Sequence, residues 1–317
     1  MKLNQLIALL LLVTCLVTAT LGIQRQVNSE GFALKSLESS TPRLELLTLE
    51  GPITGSSRGG GALAIRDRLQ EIAQEDQVKG VLLVINSPGG TVAASKELYD
   101  AVIRLRQTKP VVVSMLDQAT SGGYYVASGA TKIYASPGTL TGSIGVILSS
   151  INVKTLFDRL GLEAQTYKTG AFKDILSPFR ATSEPEKALV QALLQDTYLG
   201  FVSDVTKGRK MEFEVVRKLA DGRIYTGKQA KDNKLVDALG GYNEALVDLR
   251  QLVRKQFNLP STEPLPIRTF SPSLNQILAD LFRADSFASL QGWFGLPVFN
   301  LPNETAPPLL LLPNWLS

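Results

Sequence analysis

The 317-residue chain contains no histidine and a single cysteine, Cys15. Without histidine there is no Ser-His-Asp triad, no Cys-His pair and no histidine-ligated metal. Cys15 sits in an apolar N-terminal run, which also removes cysteine nucleophiles and thiolate zinc sites. An excess of one charge is missing too: 33 Lys and Arg against 29 Asp and Glu leave +4, and the sequence pI near 9.0 comes without a basic block. No nucleic-acid motif accompanies it, so nucleic acid is not an expected partner. The residue types left for hydrolytic chemistry are serine, lysine and the carboxylates, with neither metal nor cofactor implied.

What is present centres on Ser121. Pro110 opens the β-branched run Val111-Val112-Val113-Ser114-Met115, which reads as a buried strand, and Tyr124, Val126, Ala127 and Ala130 mark a short apolar helix just beyond Ser121. A serine at a strand-to-helix junction has its oxygen near the positive end of the helix dipole, and Gly122-Gly123 let a second backbone approach. Taken alone, such a serine reads as an ordinary N-cap. A second buried run, Val81-Leu82-Leu83-Val84-Ile85, leads into Asn86-Ser87-Pro88-Gly89-Gly90 before a helix from Thr91. Consecutive glycines there can aim backbone N–H groups into a cavity, as an oxyanion hole requires, although Pro-Gly pairs also punctuate ordinary turns. If Ser121 is a nucleophile, its base is a lysine or a carboxylate. Lysine is the better fit, because burial lowers its pKa. Bringing a lysine from about 10.4 to about 8 costs roughly 3 kcal/mol, within reach of a dry pocket.

The chain begins with Lys2 and an uncharged stretch, Leu6 to Ile23, that would be about 27 Å long as a helix. It reads as a membrane anchor over 1–23, with Val17-Thr18-Ala19 offering a small-residue cleavage site should it instead be a signal segment. A polar linker follows over 24–42. From 43 to 258 strands and helices alternate at short intervals, the pattern of parallel βαβ units in an α/β domain. Strands are expected at 44–49, 80–86, 111–116, 132–135, 143–149 and 163–168, and helices at 63–73, 91–107, 121–129, 153–160 and 243–257. Ser183-Glu184-Pro185-Glu186 is a capping box opening a helix to about Thr206, whose stripe of Leu189, Ala192, Leu193, Thr197 and Phe201 is expected to be core, with an oligomer contact as the alternative. Nine of the sixteen prolines fall in a Pro/Leu-rich tail, 259–317.

Three stretches in order, Ile85-Asn86-Ser87-Pro88-Gly89-Gly90, Ser121-Gly122-Gly123-Tyr124-Tyr125 and Thr141-Gly142-Ser143-Ile144-Gly145-Val146, resemble the bacterial signal peptide peptidase A family in its short form. The resemblance spans roughly Leu44 to Phe257. It implies a Clp protease/crotonase-like fold of repeated ββα units and a serine–lysine dyad that hydrolyses peptide bonds. The family's Gly-x-x-Lys-(Asp/Ser) segment corresponds to Gly170-Ala171-Phe172-Lys173-Asp174. By that resemblance Ser121 is the nucleophile, Lys173 the general base and Ser143 the residue that orients the lysine. Gly89 or Gly90, with the amide of Gly122, would line the oxyanion hole. Lys168 is the rival base by spacing. With the N-terminal anchor, a single-pass protein of the bacterial cytoplasmic membrane is expected, its catalytic domain on the extracytoplasmic side, and the resemblance implies that it degrades remnant signal peptides and other apolar peptides. It also implies a homo-oligomer whose active sites are shared between protomers. Two other readings are a crotonase-type acyl-transfer enzyme, for which no coenzyme A site is visible, and an inactive hydrophobic-peptide-binding membrane scaffold. The apolar segment Pro307 to Leu316, kept from helix by its prolines, could occupy the protein's own groove or lie on the membrane or the domain surface.

Overall fold

Strand β4 (Val111–Thr120) carries the candidate nucleophile at its end and organises the sheet on both sides. A computed structural model describes residues 41–55 and 61–270 and the backbone of 310–311. The segment 1–23, almost all of the linker and most of the tail lie outside the described residues. Among the described residues, no helix is long and apolar enough to cross a membrane.

In chain order the elements are β1 (Arg43–Glu50), α1 (Ala62–Gln74), β2 (Val78–Ser87), β3 (Gly90–Thr91), α2 (Val92–Leu105), β4, α3 (Gly122–Ser128), β5 (Lys132–Ala135), β6 (Leu140–Gly142), α4 (Lys154–Leu160), α5 (Glu184–Arg209), α6 (Phe213–Leu219), β7 (Ile224–Thr226), α7 (Gly227–Asp232), β8 (Ala238–Leu239), α8 (Tyr242–Phe257), β9 (Ile267–Thr269) and β10 (Leu310–Leu311). The main sheet runs β7-β6-β4-β2-β1-β9, with β5 on β4 and β8 on β5. All these pairs are parallel except β6 with β7, so the sheet is mixed. β4 is shared along its length: residues 112–115 pair with β5 and 118–120 with β6.

Helices cover both faces, which is why β2 and β4 read as continuous apolar runs. Val81, Leu83, Ile85, Val111, Val113 and Met115 point into the core under α1, α2 and α3. Leu82, Val84 and Val112 point to the opposite face, against Ala245, Leu246, Leu249 and Val253 of α8.

Three expectations need correction. The strand expected at 143–149 stops at Gly142, because Gly142 (φ 78) and Ser143 (φ 51) turn the chain out of the sheet. No strand forms over 163–168; that stretch is wholly exposed, and among the described residues no neighbouring strand pairs its backbone groups. The stripe on α5 is core only at its far end. Phe201 is buried, whereas Leu189, Ala192 and Leu193 are exposed, because the first half of α5 projects beyond the sheet with residues 146–182.

The buried half of α5 is tied to α3. The Phe201 ring stacks on Tyr125 with centroids 4.2 Å apart, and Tyr125 Oη donates to the Asp204 carboxylate at 2.7 Å. Tyr99 Oη donates to the Asp204 carbonyl, also at 2.7 Å. Burial, and then the hydrogen bond to Asp204, push the Tyr125 phenol well above its ordinary range, so it remains a donor. Replacing Asp204 by alanine strands that buried hydroxyl. Urea unfolding of Asp204→Ala is expected to show a loss of about 1–3 kcal/mol. An unchanged midpoint would show that the contact is dispensable.

Candidate active site

Ser121 is the first residue after β4 and the N-cap of α3, 2 % exposed, with φ 52 and ψ −117. A non-glycine residue in that region is strained, and strain of this kind is retained where a side chain must be aimed. The position is fixed from both sides: the Ser121 N–H donates to the Gly142 carbonyl at 2.8 Å and the Ser121 carbonyl accepts from the Tyr125 N–H at 2.8 Å. The first of these bonds places Ser143, immediately after Gly142, beside Ser121. Ser143 also has positive φ and is anchored by its N–H to the Arg223 carbonyl at 2.8 Å.

The Gly89-Gly90 turn lies against the start of α3. A Cβ built on Gly122 would fall 3.1 Å from the Gly90 nitrogen and 2.4 Å from Ser95 Oγ, so a side chain here would push Ser95 aside and press on the turn. The two candidate amides of the turn differ. Gly89 N–H is taken by Ser87 Oγ at 3.1 Å. Gly90 bridges Ile53 in parallel, and that bridge uses the Gly89 carbonyl and the Thr91 amide, each at 2.8 Å. Gly90's own N–H therefore faces away from Ile53. Of the two, Gly90 is the one whose amide is taken by neither Ser87 nor Ile53. The arrangement sets a hydroxyl next to two closely approaching glycine backbones, where attack on a carbonyl and stabilisation of the resulting oxyanion require donors.

Beside these glycines, β3 offers a strand edge, and the tail uses it. Leu310 lies opposite Thr91 and Leu311 opposite Gly90 in an antiparallel pair. An extended chain can thus be bound by main-chain pairing at the same turn that supplies the oxyanion donors.

Lys173 is placed elsewhere. It ends the exposed stretch 161–173, and among the described residues no hydrogen bond or ion pair joins it to Ser121. Asp174 accepts from Arg180 Nε at 2.8 Å and Nη2 at 2.7 Å, and Arg180 Nη1 donates to Glu186 in the first turn of α5 at 2.9 Å. Asp204, which anchors α3, lies about 27 Å further along the same helix. Lys168 is committed differently: its ammonium pairs with Asp174 and donates to the Ala171 carbonyl at 3.1 Å. Ser121, Gly90, Gly122 and Ser143 are thus brought together, and Lys173 is not brought to them within the protomer. Reasoning from sequence missed the Asp174–Arg180–Glu186 chain. Its only signal was an arginine six residues from each of two acids, in a loop without periodicity.

Among the described residues no cluster of side chains suits a metal ion.

The profile of peptidase family S49 matches residues 103–256, and that of Clp protease matches residues 53–140. Over 185 residues the chain is 43 % identical to a candidate signal peptide peptidase SppA of Enterococcus faecium, covering 58 % of this chain and 54 % of that protein. It is 41 % identical over 193 residues to a candidate protease of Synechocystis sp., covering 61 % and 69 %. Protease 4 of Salmonella typhi is 35 % identical over 213 residues, covering 67 % of this chain and 34 % of its own length. The chain thus spans between a third and about two thirds of the length of these relatives. The Clp protease match accords with the mixed α/β sheet flanked by helices.

Proposed function

Because the chain belongs to peptidase family S49, we propose that it is a serine endopeptidase with Ser121 as nucleophile and Lys173 as general base. Ser121 Oγ attacks the scissile carbonyl as its proton passes to Lys173 Nζ. The oxyanion is held by the N–H groups of Gly90 and Gly122, and Lys173 then returns the proton to the leaving amine. Water, deprotonated by the same lysine, releases the acyl group from Ser121. Ser143 orients the lysine when it arrives. The observation that carries the reading is the strained φ of Ser121 at the junction where Gly122 meets Gly90.

The lysine is supplied by a neighbouring copy of the chain. Three features support this. The Lys173 loop is tied to one end of α5, and the nucleophile helix to the other. No residue of α4 is buried. Ile151, Leu156, Leu160, Leu162, Phe172, Leu189 and Leu193 are exposed on this projecting arm, an apolar surface that a second protomer would cover.

The substrates are apolar peptides bound in extended form along β3, with remnant signal peptides as the natural class, and the protein acts at the bacterial cytoplasmic membrane through its segment 1–23. The β10 pairing supports the mode of binding, since a tethered strand on this edge competes with substrate. Deleting residues 303–317 is expected to raise initial rates on short peptides and lower apparent KM several-fold; unchanged kinetics would mean that β10 does not block the groove.

The test of the function itself is mass spectrometry. Incubation of the purified protein with an apolar peptide should yield internal cleavage products, and a serine-directed fluorophosphonate should label Ser121. Neither labelling nor cleavage would support the binding scaffold instead.

A further inference from the structure

The loop that carries Lys173 has no secondary structure of its own and no apolar core beneath it. Residues 161–173 are all exposed, and Gly170 takes φ 87 to turn the chain. A general base must nevertheless be held within a fraction of an ångström of its target. What holds this loop is a chain of charges. The Arg180 guanidinium grips the Asp174 carboxylate with two parallel bonds, at 2.8 and 2.7 Å, and adds a third to the Asp174 carbonyl at 3.1 Å. Its remaining face bonds Glu186, whose side chain is only 3 % exposed. Glu186 is fixed in turn by the Ser183 N–H and Oγ, each at 2.8 Å, at the N-cap of α5. Arg180 itself is positioned by its carbonyl, which accepts from Asn152 Nδ2 at 2.9 Å, and the arm is closed by Phe157 against Phe179, 5.0 Å between centroids.

We propose that Arg180, bridging Asp174 and Glu186, is a positioning clamp that presents Lys173 to the reacting serine. The proposal rests on the dyad reading above. The geometry gives the clamp two tasks. It transmits the rigidity of α5 to the residue next to Lys173 through a planar fork that lysine could not reproduce. It also disposes of the competing amine: Asp174 takes the Lys168 ammonium, while the Lys173 side chain has no partner among the described residues. Hydrogen bonds from Arg180 first, then from Lys168 to Asp174 and from Ser183 to Glu186, hold both carboxyls well below their usual range. The clamp therefore stays charged wherever the enzyme is assayed near neutrality.

Steady-state kinetics on one apolar peptide, with kcat expressed per folded protomer counted by circular dichroism, test the clamp. Oligomeric state is followed by size-exclusion chromatography. Arg180→Ala is expected to lower kcat about 100-fold while KM changes less than about threefold. Arg180→Lys keeps the charge without the fork and should recover only part of the loss. Glu186→Gln, nearly isosteric, should fall between Arg180→Lys and wild type. If Arg180→Ala does not assemble, Arg180→Lys and Glu186→Gln decide alone: kcat within twofold of wild type in both overturns the proposal. So does a loss that vanishes once rates are expressed per folded protomer, since the residue would then only preserve folded protein. Lys173→Ala separates this outcome from failure of the dyad. An inactive Lys173→Ala beside fully active clamp variants removes the clamp and leaves the dyad; an active Lys173→Ala removes the dyad itself.

Discussion

Replacing Ser121 or Lys173 by alanine is expected to abolish peptide hydrolysis, each by at least about four orders of magnitude in kcat, with folding and assembly retained. Ser121 loses only its hydroxyl, and the backbone bonds to Gly142 and from Tyr125 that hold its strained φ remain. Lys173 is exposed, and among the described residues its side chain makes no hydrogen bond or ion pair. Because nucleophile and base act as one unit, Ser121→Ala/Lys173→Ala should be no slower than either single variant. Lys168→Ala is the control. It removes one of the two cations on Asp174 and leaves the Arg180 fork in place, so a loss of no more than about tenfold is expected. An inactive Lys168→Ala beside an active Lys173→Ala would reverse the assignment of the base. Initial rates measured by release of a fluorescent peptide fragment cover this range.

Gly90→Ala is expected to lower kcat by about 100- to 1,000-fold, the usual cost of losing one oxyanion donor. An added Cβ would lie 1.9 Å from the Ile53 carbonyl oxygen, a backbone atom that cannot swing aside as a side-chain end would. The turn must shift, taking the Gly90 N–H off its line beside Gly122. Because β3 begins at Gly90, the same shift disturbs the edge along which an extended peptide is bound, so KM should rise as well. Gly138→Ala is the matched control: a Cβ there meets nothing within 4 Å, and kinetics should stay at wild type. Gly90→Ala with native kcat would exclude this amide from the oxyanion hole.

Much of this architecture is legible in the residues because the sheet is parallel and buried on both faces. Runs such as Val81 to Ile85 and Val111 to Met115 have no other stable placement, and the strand–serine–glycine junction at Ser121 follows from them. Legibility fails where structure depends on something other than local pattern. Residues 163–168 include Thr166 and Tyr167, residue types that suit a strand, but among the described residues no strand pairs with them. Leu189 and Leu193 carry helix-core spacing, yet a stripe does not say whether its cover comes from the same chain. The nominated pair of glycines was narrowed only by geometry, since the Ser87 hydroxyl that takes the Gly89 amide cannot be foreseen from spacing. Lys173 itself is indistinguishable from a solvated lysine by pattern, and the resemblance to a serine–lysine family singled it out. Arg180 and Glu186 looked like loop and cap residues, because a guanidinium bridging two acids six residues away on either side leaves no periodic trace.

The central claim is that serine and lysine of one working site come from different copies of this chain, and mixing inactive protomers tests it most directly. Ser121→Ala and Lys173→Ala proteins, each without activity alone, are dissociated, combined in equal amounts and reassembled, with mixed oligomers verified by native mass spectrometry. Some interfaces then pair an intact Ser121 with an intact Lys173, and the account predicts recovery of up to about a quarter of wild-type activity at random mixing. Verified mixed oligomers that remain inactive would contradict it and place both residues in a single protomer.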